Sequence, residues 1–158
     1  MNVTVGISDM KISTSPGETL ITYSLGSCVG LSLYDAAAGV GGLLHSMLPL
    51  SKLDPGKAGR NPCMFVDTGV PALLEALFHR GAQRKTLVAK VAGGSQILDE
   101  NGVFKIGERN CTVLRKLLWK NNILISGEDT GGSAARTMCL HMDSGRTVLK
   151  MAGREVEI

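Results

Sequence analysis

The stretch TYSLGSCVGLSLYDAAAGVGGLLHSMLP, residues 22–49, carries a cysteine after Gly26-Ser27 and a histidine seventeen positions later, both in apolar surroundings. Val29, Leu31 and Leu33 alternate with small or polar residues, the period of a β-strand. The small residues of AAAG make a turn, and a second strand, 40–48, runs on until Pro49 stops it. Closing this hairpin with Asp35 opposite Val40 sets His45 opposite Gly30. Cys28 is then the diagonal neighbour of His45 on the same face, roughly 7–8 Å away between residues. Gly30, lacking a side chain, is expected to leave the space between them open.

The flanking sequence continues the β pattern. Val3, Val5 and Ile7 alternate, and ETLITYSLG is a β-rich run ending in glycine. TLVAKVAGG and ILISGEDTGG read as further strands, and RTMCLHMDSGRTVLKMAG reads as a hairpin turning at Asp143-Ser144-Gly145. LSKLDPGKAGRNP, residues 50–62, reads as an exposed, mobile loop. Two segments have helical spacing. One carries Val70, Leu73, Leu74, Leu77 and Phe78, is capped by Asp67 or Thr68 and is stopped by Gly81. The other, ERNCTVLRKLLWKNN, turns Cys111, Leu114, Leu117 and Leu118 to one side. About eight strands and two main helices, with hairpins at both ends, predict an α/β sandwich with mostly antiparallel or mixed sheets. A doubly wound parallel sheet does not fit. At 158 residues one domain spanning 1–158 is expected.

Composition narrows the function. The 44% hydrophobic and 20% charged residues belong to an ordinary globular chain. A net charge of +3, scattered basic residues and only six aromatics argue against nucleic acid as a partner. MNVTVGISDMKIS lacks the apolar core of a signal peptide, and nothing resembles a membrane span, so a cytoplasmic protein without membrane insertion is expected. Cys28, Cys63, Cys111 and Cys139 are then reduced thiols. No metal is expected, because Cys139-x-His141 is the one close pair and two further ligands are lacking. No cofactor is expected either, since the glycine-rich VAGGSQ and GEDTGGS match no phosphate-binding pattern. Cys63, Cys111, Cys139, His79 and His141 read as structural or surface residues.

The chemistry that suits Cys28 and His45 is nucleophilic. An imidazole beside a thiol takes its proton, and the resulting ion pair lowers the thiol pKa. The protonated ring then donates to a departing amine. Gly26 and Ser27 allow a sharp turn with backbone N–H groups directed at a developing oxyanion. Thr22, six residues before Cys28, shares its side of the chain and can orient the second ring nitrogen. Spacing alone leaves the plainer reading standing, in which a buried cysteine is an inert small hydrophobe.

The motifs go further. TYSLGSCVGLSLYD, GVGGLLHSMLP, VDTGVPALLEALFHRGA, AKVAGGSQIL, IGERN and GEDTGG follow one another as in the CheD family of chemoreceptor glutamine deamidases, which the chain resembles from about residue 4 to 150. That resemblance implies an α/β/β three-layer sandwich related to the catalytic domain of deamidating bacterial toxins. It implies that Cys28 is the nucleophile, His45 the general base and Thr22 the orienting hydroxyl, with Ser27 and Gly26 in the substrate pocket. The implied reaction converts receptor glutamines to glutamates with release of ammonia. The implied partners are chemoreceptor cytoplasmic helices and a CheC-type phosphatase. Two alternatives stay open: a docking protein whose thiol is incidental, and a methylesterase that forms the same thioester from receptor glutamyl esters.

Overall fold

A computed structural model describes residues 1–96 and 105–158. Ile97 and Leu98, the end of the AKVAGGSQIL motif, lie outside the described residues. Among the described residues, ten strands form two five-stranded mixed sheets. The outer sheet takes β1 (Asn2–Val5), β3 (Thr19–Leu25), β8 (Arg136–His141), β9 (Thr147–Met151) and β10 (Arg154–Glu157), in that spatial order. The middle sheet is ordered β2 (Asp9–Ser13), β5 (Val40–Ser46), β4 (Val29–Asp35), β6 (Leu87–Gly93) and β7 (Ile125–Thr130). Helices α2 (Val66–Phe78) and α3 (Ile106–Lys120) cover the far face of the middle sheet. The layers are therefore helix, sheet, sheet, the α/β/β order that the family resemblance implies.

Strand periodicity divides the core in two. On β4 and β5, Val29, Leu31, Leu33, Val40 and Leu44 face the helices and meet Val70, Leu73, Leu77, Leu114 and Leu118. The alternate residues face the outer sheet, where Leu43 joins Leu20, Leu25, Met138, Leu140 and Leu149. Polar bridges cross this second layer, among them Ser32 Oγ to Thr147 Oγ1 at 2.8 Å and Thr22 to His45. A buried polar group costs stability unless bonded, so these paired positions also fix how the two sheets align.

The hairpin register is the one derived from the sequence, with Asp35 opposite Val40 and Gly30 opposite His45. Three expectations change. The 50–62 stretch is built of short helical turns, including α1 (Pro55–Arg60), because the Asp54 side chain accepts from Lys57 N–H and Pro55 suits a first turn. Helix α2 begins at Val66, and Asp67 leaves the capping role to bind the Ser51 N–H and hydroxyl. The space beside Gly30 is also filled rather than open. A Cβ there would come within 2.6 Å of Met138 Sδ and 2.9 Å of Leu25 Cδ1.

Candidate active site

The chain passes from the outer to the middle sheet between β3 and β4, and Gly26-Ser27-Cys28 make that crossing. A register irregularity follows Thr22, and Ser24 takes a positive φ of 61°. Gly26 N–H donates to Ser24 C=O at 2.9 Å, which tightens the turn. This N–H is therefore engaged within the turn, and Gly26 is not among the residues lining the cleft described below. The crossing puts Thr22 on one sheet and Cys28 at the start of the other, both toward the layer between them.

His45 and Thr22 meet across that layer, with His45 Nδ1 2.7 Å from Thr22 Oγ1, both side chains fully buried. The Thr22 hydroxyl has one proton, and it donates this to Val5 C=O at 2.8 Å. It must therefore accept from His45, which places a proton on Nδ1, and in the neutral ring the lone pair is then on Nε2. Among the described residues Nε2 has no hydrogen-bond partner. The imidazole is thus oriented, neutral and open at one nitrogen.

Cys28 is half-buried, packs against the inter-sheet core and lines a cleft of about 490 Å³. The cleft is walled by Ser27, Met47, the Gly94-Ser95 turn, the first turn of α3 and Thr130 to Gly132. Its sulfur makes no hydrogen bond to His45 in this state. Burial pushes the thiol pKa up, partly offset by the residue's own backbone N–H. Burial also pushes the His45 pKa down to about 4. Burial thus works against the ion pair expected from the sequence. A low-polarity site disfavours both charged forms, so thiol and imidazole rest neutral.

Two residues to which the sequence reading gave no role hold this arrangement. Asn110, the last residue of IGERN, is fully buried on α3 and donates to Ser27 C=O at 2.9 Å and Met47 C=O at 3.0 Å. Arg136 is 5% exposed. It reaches Asp129 Oδ1 at 2.9 Å, Ser95 Oγ at 2.8 Å and Gly131 C=O at 3.0 Å. Ser95 N–H in turn donates to Gly26 C=O, and Gly94 N–H to Cys28 C=O, each at 2.8 Å. GEDTGG and AGGS thus brace the Gly26–Cys28 turn. The motifs themselves were the signal, but only tertiary contact shows what they touch. Gly94, at φ +63°, abuts α3 so closely that a Cβ would lie 2.3 Å from Cys111 Sγ. Cys111 is accordingly a buried part of the cleft wall. At the mouth, Arg115 pairs with Glu128 and bonds Thr130 Oγ1.

Among the described residues no three His, Cys, Asp or Glu side chains come together to hold a metal. Nor is any described helix long and apolar enough to cross a membrane.

Residues 47–151 match the family model described as CheD chemotactic sensory transduction. A Syntrophus aciditrophicus protein named probable chemoreceptor glutamine deamidase CheD 1 is 49% identical over 152 residues, covering 96% of this chain and 95% of that protein. A Solibacter usitatus protein named probable chemoreceptor glutamine deamidase CheD is 47% identical, covering 99% and 92%. A solved Neisseria meningitidis structure, NMB0706 of the DUF152 family, overlaps at a TM-score of 0.45 and 9% identity over 84% of this chain and 62% of that one, too partially to say more. The Thr22–His45 segment precedes the matched span of the family model but falls within the near-complete coverage of the relatives. Similarity of this extent, over almost all of both chains, makes this protein a member of the CheD family.

Proposed function

We propose that this chain is a thiol-dependent deamidase that converts glutamine side chains on chemoreceptor cytoplasmic helices to glutamate. Its relatives are named for that reaction. The observation that carries it here is the buried imidazole, locked by Thr22 so that Nε2 is unprotonated on the side of the sheet that bears Cys28.

The reaction follows from those neutral resting forms. A glutamine carboxamide enters the cleft and Cys28 Sγ attacks its carbonyl carbon while His45 Nε2 takes the thiol proton. The tetrahedral oxyanion is held by backbone N–H groups of the Ser27-Cys28 turn. The imidazolium returns its proton to the nitrogen, which leaves as ammonia, and a thioester remains. Water then loses a proton to neutral His45 and attacks the thioester, the carbon–sulfur bond breaks to give the glutamate carboxyl, and the departing sulfur takes the proton back from the imidazolium to restore the thiol. Each step exchanges one proton through Nε2, while Thr22 keeps the other nitrogen protonated throughout.

The same reading places the protein in the cytoplasm, where receptor helices are presented. It also makes the cleft the surface that a CheC-type phosphatase covers as a regulatory partner. Incubation with a receptor cytoplasmic fragment should release ammonia and give the amide-to-acid mass shift. Cys28→Ala should abolish both, and an unchanged rate in that variant would end the proposal.

A further inference from the structure

Strands β4 and β5 pair as far as Val29 opposite Ser46. The next pair would join Cys28 to Met47, but the ladder stops one residue short of the thiol. Met47 N–H and Leu48 N–H both turn away to Met64 C=O, at 2.9 and 3.0 Å. The β4–β5 ladder therefore does not hold the two sides of the hairpin together at the point where sulfur and imidazole must stay aligned. A single side chain closes the gap: Asn110 Nδ2 gives one proton to Ser27 C=O and the other to Met47 C=O.

Asn110 does this at a cost. Its Oδ1 is buried with no partner among the described residues, and an unsatisfied buried acceptor is destabilising. Its neighbours on the inner face of α3 are Cys111, Leu114 and Leu118, so an apolar residue would suit the helix better. What the asparagine supplies is a two-pronged donor.

We propose that Asn110 is a positioning residue for the reaction: by tying the Ser27 and Met47 carbonyls together it holds Cys28 Sγ in line with the open nitrogen of His45. This rests on the deamidase reading. A misplacement of about 1 Å costs on the order of 10²-fold in rate. Asn110→Ala should therefore lower kcat for a receptor cytoplasmic fragment by about that factor, with KM within about twofold. The freed turn should admit water to the sulfur, so iodoacetamide should alkylate Cys28 faster at pH 7 even as deamidation slows. Packing loss alone does not produce these opposite movements, and Asp35→Ala, destabilised far from the cleft, should show neither.

Asn110→Asp keeps the shape and gives a second reading if the alanine variant fails to fold. Its carboxylate has no proton to donate, but its acid form has one. Part of the lost kcat should therefore return between pH 8 and pH 5.5. Any of three results overturns the proposal: kcat within about threefold of the unsubstituted protein, a loss carried wholly in KM, or unchanged Cys28 alkylation. Should the unsubstituted protein release no ammonia, the deamidase reading fails, while the alkylation comparison still tests the clamp.

Discussion

At the scale of single residues, the site is governed by burial more than by charge. Lowering the His45 pKa to about 4 keeps the ring a competent base across the neutral range. The acid limb of kcat/KM, which reports ionisations of the free enzyme, should accordingly fall near pH 4, well below the 6.5 of an ordinary imidazole. A pH–rate profile on a receptor fragment checks this. The raised thiol makes a second expectation: without substrate, Cys28 alkylation should climb only above the ordinary thiol range, and no early inflection should mark an ion pair. Thr22→Val keeps the shape but orphans both the Nδ1 proton and Val5 C=O. It should cost about 1–3 kcal/mol in a urea melt and roughly 10²-fold in kcat as the ring loses its orientation.

At the scale of elements, the Gly26–Cys28 turn is a junction that other elements brace. Asn110 reaches it from α3, Ser95 from the end of β6, and Arg136 stands behind Ser95 from β8. Arg136→Leu would remove four donated hydrogen bonds and leave Asp129 without its cation. Removing one partner of a buried pair costs about 3–5 kcal/mol, and the low end applies because Asp129 is 30% exposed at its side chain. A drop in Tm of roughly 6–12 °C should follow, measured by calorimetry, together with loss of activity as the Gly94-Ser95 turn loosens. The loop between β5 and α2 shows the converse. It reads as structureless because glycine, proline and lysine dominate it, yet Asp54, Asn61 and Asp67 cap or anchor each short turn.

At the scale of the whole molecule, the buried titratable groups set the pH range of stability. Unfolded His45 takes a proton below 6.5 and the folded ring resists until about 4, so the unfolded state binds more protons across that window. Stability should therefore fall as pH drops from 6.5 toward 4, by roughly 3 kcal/mol in total. Urea melts at pH 7, 5.5 and 4.5 should show this slope, and His45→Asn should flatten it. Asp35 acts lower down. Burial alone would raise its pKa, but the Thr86 hydroxyl and the Gln83 and Ala38 N–H groups hold it below the ordinary carboxylate value. Its contribution is present above that value and lost as pH falls through the depressed pKa. On the alkaline side all four thiols are pushed up by burial. The unfolded chain ionises them first, so stability should decline above about pH 9.

What the sequence by itself determined is what repeats along the chain or lies within one hairpin. Period-two alternation specified β1 and β4, β-rich runs stopped by glycine or proline marked β3 and β5, and turn chemistry marked the β8–β9 hairpin; the pairing of Gly30 with His45 followed from closing the first hairpin with Asp35 opposite Val40. The strands it missed, β2 and β10, are edge strands of five and four residues, too short for a period to stand out even where Met10 and Ile12 alternate. The preference of Cys28 for a neighbouring base was legible from residue type, and Thr22 from its parity with the nucleophile. Only the tertiary structure decided the rest. The charge state of the pair depends on how much water reaches it, which is a property of packing. The roles of Asn110 and Arg136 depend on carbonyls 83 and 63 residues away for the first and on loops from two strands for the second. No local pattern encodes such a contact, because a hydrogen bond between distant segments leaves no period in the sequence.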